Sequence, residues 1–63
     1  MVRFFVGQKW ITTDGTLRGE VIEIFDDGRS GVLVVTDDKG NVQRENMNAA
    51  DIQVLGYWRV VNQ

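Results

Sequence analysis

The chain has 63 residues, a formal net charge of −2, and no His, Cys or Pro. Without Cys it can form neither a disulfide nor a thiolate metal site, and without His it lacks the commonest metal ligand. A hydrophobic core of this size seldom contributes more than about 3–5 kcal/mol, so association between copies is one remaining source of stability. The slight negative charge excludes a general attraction to phosphate backbones but leaves room for a local basic patch.

The N-terminal apolar run is short. Gly7 and Lys9 follow it too soon for residues 2–6 to form the core of a signal peptide. No stretch approaches the ~20 apolar residues that a membrane span needs. The composition therefore predicts a soluble, cytoplasmic protein without a membrane partner, folded as a single domain over residues 1–63.

The first half of the chain predicts strands joined by polar connections. Residues 2–6 are rich in aromatic and β-branched side chains, which favours a strand, and residues 9–11 resume it after Gly7-Gln8. A polar connection over residues 12–18 leads to the clearest strand, residues 20–25. Side chains alternate along a strand. Ile22 and Ile24 are therefore expected on one face, with Val21, Glu23 and Phe25 on the other.

Two Asp-rich turns flank the next strand, residues 31–36. Asp26-Asp27-Gly28 is typical of a type I turn followed by a glycine at positive φ. Residues 37–40 repeat the device, with an Asp side chain to cap the turn and Gly40 in the left-handed conformation. These turns predict a meander of antiparallel strands.

The last third of the chain predicts one edge strand, one helical turn and one closing strand. Residues 41–47 are polar and indicate an edge strand. Residues 48–52 suit a single helical or 3₁₀ turn, with Asn48 as its cap. After Gly56, residues 57–61 supply the closing strand.

This order of elements resembles the SH3-like small barrels, the group that contains SH3, Tudor and KOW domains. The opening Gly7-Gln8-Lys9-Trp10, followed by residues 19–24 and 32–35, is most similar to the KOW/Tudor arrangement. The resemblance implies an all-β, five-stranded SH3-like barrel with one short helical turn before the last strand. The opening and the ending, residues 56–61, are also similar to small uncharacterised proteins of bacteriophages and bacteria. A resemblance of fold does not carry a function with it.

The acidic pairs Asp26-Asp27 and Asp37-Asp38 are the only candidate metal or acid–base groups that the sequence offers. Each pair lies where turn chemistry already explains it, and the spacing does not match a calcium loop. General acid–base catalysis by carboxylates needs a buried site that shifts a pKa, and hairpin tips are poor places for one. The sequence therefore predicts no enzyme activity, no cofactor and no metal site.

Apolar residues occupy both faces of the two central strands, and this pattern predicts an interaction surface. With Ile22, Ile24, Val32 and Val34 filling the barrel, other apolar residues project outward. That predicted interface consists of Val21, Phe25, Leu33 and Val35, with Phe5 beside them. Exposed apolar patches of several hundred Å² usually mark interfaces. The preferred function is a non-enzymatic module that self-associates or docks on a larger protein. Barrel curvature or the long first loop would instead hide part of this set.

A second interpretation is nucleic-acid or nucleotide binding. Aromatic rings stack on bases, and Arg contacts phosphate in a bidentate manner. The candidate surface comprises Trp10, Tyr57, Arg3, Arg44 and Arg59, with Arg3 and Arg59 expected side by side on paired terminal strands. Core packing of Trp10 against Trp58, and a solvated surface for the Arg residues, are the simpler alternatives. A third interpretation is a small inhibitor that presents its acidic turns to the basic site of a partner enzyme.

Overall fold

The computed structural model describes residues 3–54 and 56–61, and they form an all-β fold with five antiparallel strands in one sheet. The strands are β1 (Lys9–Thr12), β2 (Leu17–Phe25), β3 (Ser30–Asp37), β4 (Val42–Asn48) and β5 (Trp58–Val60). A 3₁₀ turn (Asp26–Gly28) joins β2 to β3, and helix α1 (Ala49–Val54) precedes β5. The strand order is β4-β3-β2-β1-β5. The predicted all-β class, the five strands and the helical turn before the last strand are confirmed.

The sheet is open, so the predicted closure into a barrel is wrong. In the described part of the chain, β4 and β5 are the two edges and do not pair with each other. Helix α1 occupies the gap between them and turns Ala49 and Ile52 into the core, both about 2% exposed. Asn48 caps this helix as predicted, because its Oδ1 accepts a hydrogen bond from the backbone N–H of Ala50 at 3.0 Å.

The predicted strand over residues 2–6 is wrong for its described part, residues 3–6, and Val2 lies outside the described residues. This segment crosses the end of the sheet instead. The N–H of Phe4 donates to the carbonyl of Gly28 at 2.7 Å, and the N–H of Gly7 donates to the carbonyl of Val21 at 2.8 Å. The crossing buries the Phe4 ring edge-on against Trp10, with the ring centroids 6.0 Å apart. Burial of that ring therefore replaces regular pairing here.

Both predicted turn glycines have positive φ, but one turn type differs from the expectation. Gly28 and Gly40 have φ of +86°. In the first turn Asp27 also has a positive φ of 59°, and the turn closes through the N–H of Arg29 and the carbonyl of Asp26. Positive φ at both central residues defines a type I′ turn, whose twist suits a hairpin better than the predicted type I.

The inner face of the sheet carries the core. We use this name for the face of Trp10, Val21, Leu33 and Trp58, all of which are buried together with Phe4, Ala49 and Ile52. Val21 and Leu33 are 0% exposed. The expectation that they project outward is therefore wrong, and the faces of β3 and of Val21 and Ile22 in β2 are inverted relative to the prediction.

A β-bulge in β2 confines the inversion in that strand to Val21 and Ile22. Val21 pairs with Leu33, whereas Glu23 pairs with Val32, so the register shifts at Ile22. Simple alternation would put Val21 and Glu23 on one face. The bulge lets Glu23 share the outer face with Ile22 while Val21 stays inside. Ile24 then lies beside Gly31, away from Ile22.

Two inner-face glycines make room for aromatic rings. A Cβ added at Gly19 would lie 3.7 Å from the Trp58 ring, and one added at Gly31 would lie 3.1 Å from the Phe4 ring. A side chain at Gly31 would press on the Phe4 ring, and one at Gly19 would contact the Trp58 ring and press on Leu33 Cδ2 at 3.2 Å. The core is therefore built by placing aromatic rings over glycines beside Val21 and Leu33.

Candidate functional site

The outer face of the sheet is the face opposite the core, and the strand register gives its composition. One row across the strands contains Lys9, Glu20, Val34 and Arg44. The next row contains Arg59, Ile11, Arg18, Thr36 and Val42. Residues in these two rows share the outer face because side chains along a strand alternate between faces with a period of two. Each row mixes aliphatic and charged side chains.

A cavity of about 600 Å³ opens on this outer face. Its apolar wall is formed by Ile11, Ile22, Val34 and Val61. Ile22 is 37% exposed and Val61 is 61% exposed. Lys9, Arg18 and Glu20 add charged groups to the same wall. An aliphatic wall flanked by charges is typical of a site that binds a partner with both apolar and charged groups.

Positive charge is concentrated on the outer face although the whole chain is acidic. Four cationic side chains, Lys9, Arg18, Arg44 and Arg59, share this face with two carboxylates, Glu20 and Glu23. Two other Arg side chains face carboxylates elsewhere. Arg3 forms an ion pair with Asp27 at 2.8 Å, and Arg29 lies 3.7 Å from Asp26. The local field on the outer face therefore favours acidic groups.

The predicted interface residues do not form one surface. Val21 and Leu33 are buried in the core, and Val35 is partly buried against it. Phe5 and Phe25 are 41% and 46% exposed. A role for these two rings in contacting a partner stays a prediction, but the apolar patch that was expected around them is replaced by the wall of the outer-face cavity.

The predicted nucleic-acid surface is also dispersed. Trp10 is 3% exposed, and its Nε1–H donates to the buried Oε1 of Gln8 at 3.0 Å. Arg3 lies at the first hairpin turn with Asp27, not beside Arg59, which pairs with Ile11 in β1. The expectation that Arg3 and Arg59 lie side by side is wrong because residues 3–6 are not a strand.

Tyr57, Arg44 and Arg59 are the exposed members of that predicted surface. Tyr57 is 48% exposed and lies just before β5. Arg44 and Arg59 are exposed on the outer face but belong to the two opposite edge strands, with β1, β2 and β3 between them. Any ligand that contacts both Arg residues must span the width of the sheet.

Sequence reasoning missed Ile11, Ile22 and Val34 as surface residues. A signal for them was present, because Arg18 and Glu20 alternate with Gly19 and precede Ile22 on the same face. Charged side chains are almost never fully buried without a partner, so the face that carries Arg18 and Glu20 is the solvated one. The glycine at position 19 marks the opposite, ring-covered face.

Asp26 and Asp27 of the first acidic pair face Arg29 and Arg3, and Asp37 of the second pair holds its turn together. Asp37 Oδ1 accepts hydrogen bonds from the N–H groups of Lys39 and Asn41 at 2.8 and 2.9 Å, and its Oδ2 accepts one from the Asn41 side chain. The Asn41 side-chain amide, followed by its backbone N–H, lowers the pKa of Asp37. Over residues 3–54 and 56–61 there is no cluster of three or more His, Cys, Asp or Glu side chains that could hold a metal ion.

Asp14 organises the first connection in the same manner. The N–H of Thr16 donates to its Oδ1 at 3.0 Å, and the hydroxyls of Thr12 and Thr16 each donate at 2.8 Å. These bonds, led by the Thr16 N–H, lower the pKa of Asp14. The carboxylates with shifted pKa values are therefore turn-stabilising groups rather than acid–base groups, whose pKa values would be raised towards neutrality.

Comparisons with known proteins give no assignment. The chain matches no family model, no curated protein and no solved structure. Neither helix in the described ranges is long and apolar enough to cross a membrane.

Proposed function

We propose that this protein is a non-enzymatic interaction module, built as an open relative of the SH3-like small barrels. It binds an acidic, partly apolar segment of another protein on the outer face of its sheet. The observation that carries the proposal is the cavity of about 600 Å³ on that face, where aliphatic side chains lie among cationic ones. The strand order β4-β3-β2-β1-β5, with a helix before β5, supports the SH3-like part of the proposal.

Apolar contact supplies the affinity. Covering exposed aliphatic surface contributes roughly 25 cal/mol per Å², and Ile22 and Val61 are among the large apolar side chains left open to solvent. The cations at the rim select the partner. A segment with acidic residues is attracted and oriented by them, while a second cationic surface is repelled.

Charge also favours a different protein over a second copy of this chain. Stacking two outer faces would bring Arg18, Arg44 and Arg59 of one copy towards their equivalents on the other. Like charges placed together across an interface cost free energy. Self-association through this face therefore needs Glu20 and Glu23 to offset the repulsion, whereas an acidic partner needs no such arrangement.

A protein partner fits the cavity better than a nucleic acid does. Base recognition by small β domains relies on exposed aromatic rings. Of the described residues that line the cavity, only Trp10 is aromatic, and it is 3% exposed. The wall offers aliphatic contacts instead, which suit Leu, Ile or Val side chains of a polypeptide.

The test is affinity capture by the wild-type protein from cells of its source, with a nuclease-treated arm. The captured segment is then made as a purified peptide and titrated against three proteins: wild type, Val34→Asp and Gln53→Glu. Val34→Asp places a charge on the cavity wall. Gln53→Glu makes the same charge change on an exposed position of α1.

The proposal predicts a nuclease-resistant partner whose binding segment is acidic. Val34→Asp weakens binding of that peptide at least about tenfold, which corresponds to 1.4 kcal/mol, and Gln53→Glu leaves it unchanged. Loss of the captured partner after nuclease treatment would contradict the proposal and would indicate that the protein binds nucleic acid. Equal binding by both variants would remove the outer face from the function.

A further inference from the structure

Edge strand β4 presents a row of backbone hydrogen-bonding groups with which no strand of the described residues pairs. At one end the Ala49 N–H donates to the Arg29 carbonyl at 2.8 Å, and at the other the Asp37 N–H donates to the Asn41 carbonyl at 3.0 Å. In an antiparallel pair, hydrogen-bonded and non-hydrogen-bonded residue pairs alternate. The β3–β4 register therefore makes residues 43, 45 and 47 the bonded partners of β3.

The backbone N–H and C=O groups of Val42, Arg44 and Asn46 consequently point away from β3. No strand lies beyond β4 in the described ranges, since β4 ends the sheet order. The edge contains no Pro, and the β3–β4 register runs without a shift from Asn48 to Val42. Natural edges are commonly protected by Pro, a bulge or charged side chains; this one has no Pro and no bulge, and its charged side chains are Arg44 on the outer face and Glu45 on the inner face.

A second cavity, of about 220 Å³, lies beside the same edge on the inner side of the sheet. Its apolar walls are Met47 on β4, Ile52 on α1 and Trp58 on β5, with Tyr57 at the side. The cavity therefore lies where α1 meets the two edge strands. A side chain that extends from a new strand next to β4 on the inner face would point into this cavity beside Met47.

The outer side of the edge has the opposite character. Arg44 is exposed there, in the same row as Val34. A residue paired with Arg44 on an added strand would share the outer face with its guanidinium, because directly opposite residues in an antiparallel pair lie on one face. An acidic side chain is favoured at that position.

From the edge, the cavity and the charge, we propose that β4 is a strand-addition site. An extended polypeptide segment adds to β4 as a sixth strand through the backbone groups of Val42, Arg44 and Asn46. It inserts an apolar side chain beside Met47 into the cavity and places an acidic side chain beside Arg44. This site goes beyond the outer-face proposal, because backbone hydrogen bonds and a different cavity carry it.

The experiment uses a library of eight-residue peptides with Glu or Asp at alternate positions and each apolar residue type at the others. Binders are selected on the wild-type protein and then titrated against Asn46→Pro and Asn46→Ala. Proline at 46 removes an N–H that faces away from β3, so it leaves the β3–β4 hydrogen bonds intact. The alanine variant removes the same side chain and keeps the N–H.

The proposal predicts that selected peptides bind wild type and Asn46→Ala equally and bind Asn46→Pro at least about tenfold more weakly. Amide hydrogen exchange at Val42, Arg44 and Asn46 slows when the peptide is bound. Selection of no binder overturns the proposal, and so does equal binding by Asn46→Pro when that variant retains the wild-type unfolding midpoint. Peptides that are lost with Val34→Asp but not with Asn46→Pro bind the outer face, and they support the first proposal alone.

Discussion

The inner and outer faces of β2 and β3 differ little in aliphatic content, yet only one of them is covered. The inner face has Val21 and Leu33, both 0% exposed, and the outer face has Ile22 and Val34, which remain partly open. The difference lies in the neighbours. The inner face also carries Gly19 and Gly31, next to the aromatic rings, whereas the outer face also carries charged side chains such as Arg18 and Glu20.

The aromatic rings and the helix that cover the sheet determine which of its faces is buried. Phe4, Trp10, Trp58 and helix α1 all pack on one side of the sheet. The other side is left with aliphatic residues that have no second layer in the described chain.

The largest effect outside the central test is expected from Gly31→Ala. The new Cβ would lie 2.8 Å from the Glu23 carbonyl oxygen and 3.1 Å from the Phe4 ring. Because one of these neighbours is backbone, the sheet must shift, and we expect a loss of about 3 kcal/mol. Urea unfolding measures it. Gly40→Ala is the control, since its Cβ meets nothing within 4 Å and only the positive φ opposes it.

A smaller loss is expected from Gln8→Ala. Gln8 is 2% exposed, and its Oε1 accepts the hydrogen bond of the buried Trp10 indole N–H. Removing the acceptor leaves that donor unsatisfied in the core, at a cost of about 2 kcal/mol. Gln43→Ala, at an exposed position of β4, is expected to change the free energy of unfolding by less than about 0.5 kcal/mol. Equal losses for the two variants would show that the indole bond contributes nothing.

On the outer face, Ile22→Thr sharpens the contrast. Thr keeps the β-branched shape that suits a strand but removes apolar surface from the cavity wall. Because Ile22 is already 37% exposed, we expect a stability loss of less than about 1 kcal/mol together with weaker binding of the acidic partner segment. Calorimetric titration and urea unfolding of the same preparation measure both. A large loss of stability with unchanged binding would mean that Ile22 belongs to the core.

The smallest effect concerns pH. The pKa of Asp37 is lowered from its ordinary value of 3.8 by Asn41, so its contribution to stability is present above that value and is lost as pH falls below it. Asp37→Asn should therefore reduce the fall in unfolding midpoint between pH 4 and the more acid range. Thermal unfolding across that range checks the slope. If the variant's unfolding midpoint falls with pH as steeply as that of the wild type, the hydrogen bonds of Asp37 do not contribute to stability against acid.

The sequence predicted local features well and packing poorly. Gly28 and Gly40 at positive φ, and Asn48 as a helix cap, follow from turn and cap chemistry within a few residues. The bulge at Ile22 could not be foreseen, because it depends on how β2 pairs with β3. The crossing of residues 3–8 over the end of the sheet, which buries Phe4, also depends on contacts distant in sequence. Local composition alone favours a strand there.

The exposed aliphatic residues of the central strands lie on the face opposite to the one that the sequence predicted. Apolar residues on both faces of the central strands indicated that one face would remain exposed. Which face it is depends on the side of the sheet on which Trp10 and Trp58 pack, and Trp58 comes from a strand distant in sequence from β2 and β3. Leu33 and Val34 lie on the faces opposite to those predicted, because the aromatic rings and helix α1 cover the side on which Leu33 lies.

The most direct test is to compare Leu33→Ala with Val34→Ala in urea unfolding. Leu33 is fully buried and its neighbour in sequence faces the outer cavity. We predict that Leu33→Ala loses about 2–5 kcal/mol, comparable to the stability of the fold, while Val34→Ala loses less than about 1 kcal/mol and remains folded. The reverse order of losses would contradict the assignment of the two faces, and with it the proposed binding surface.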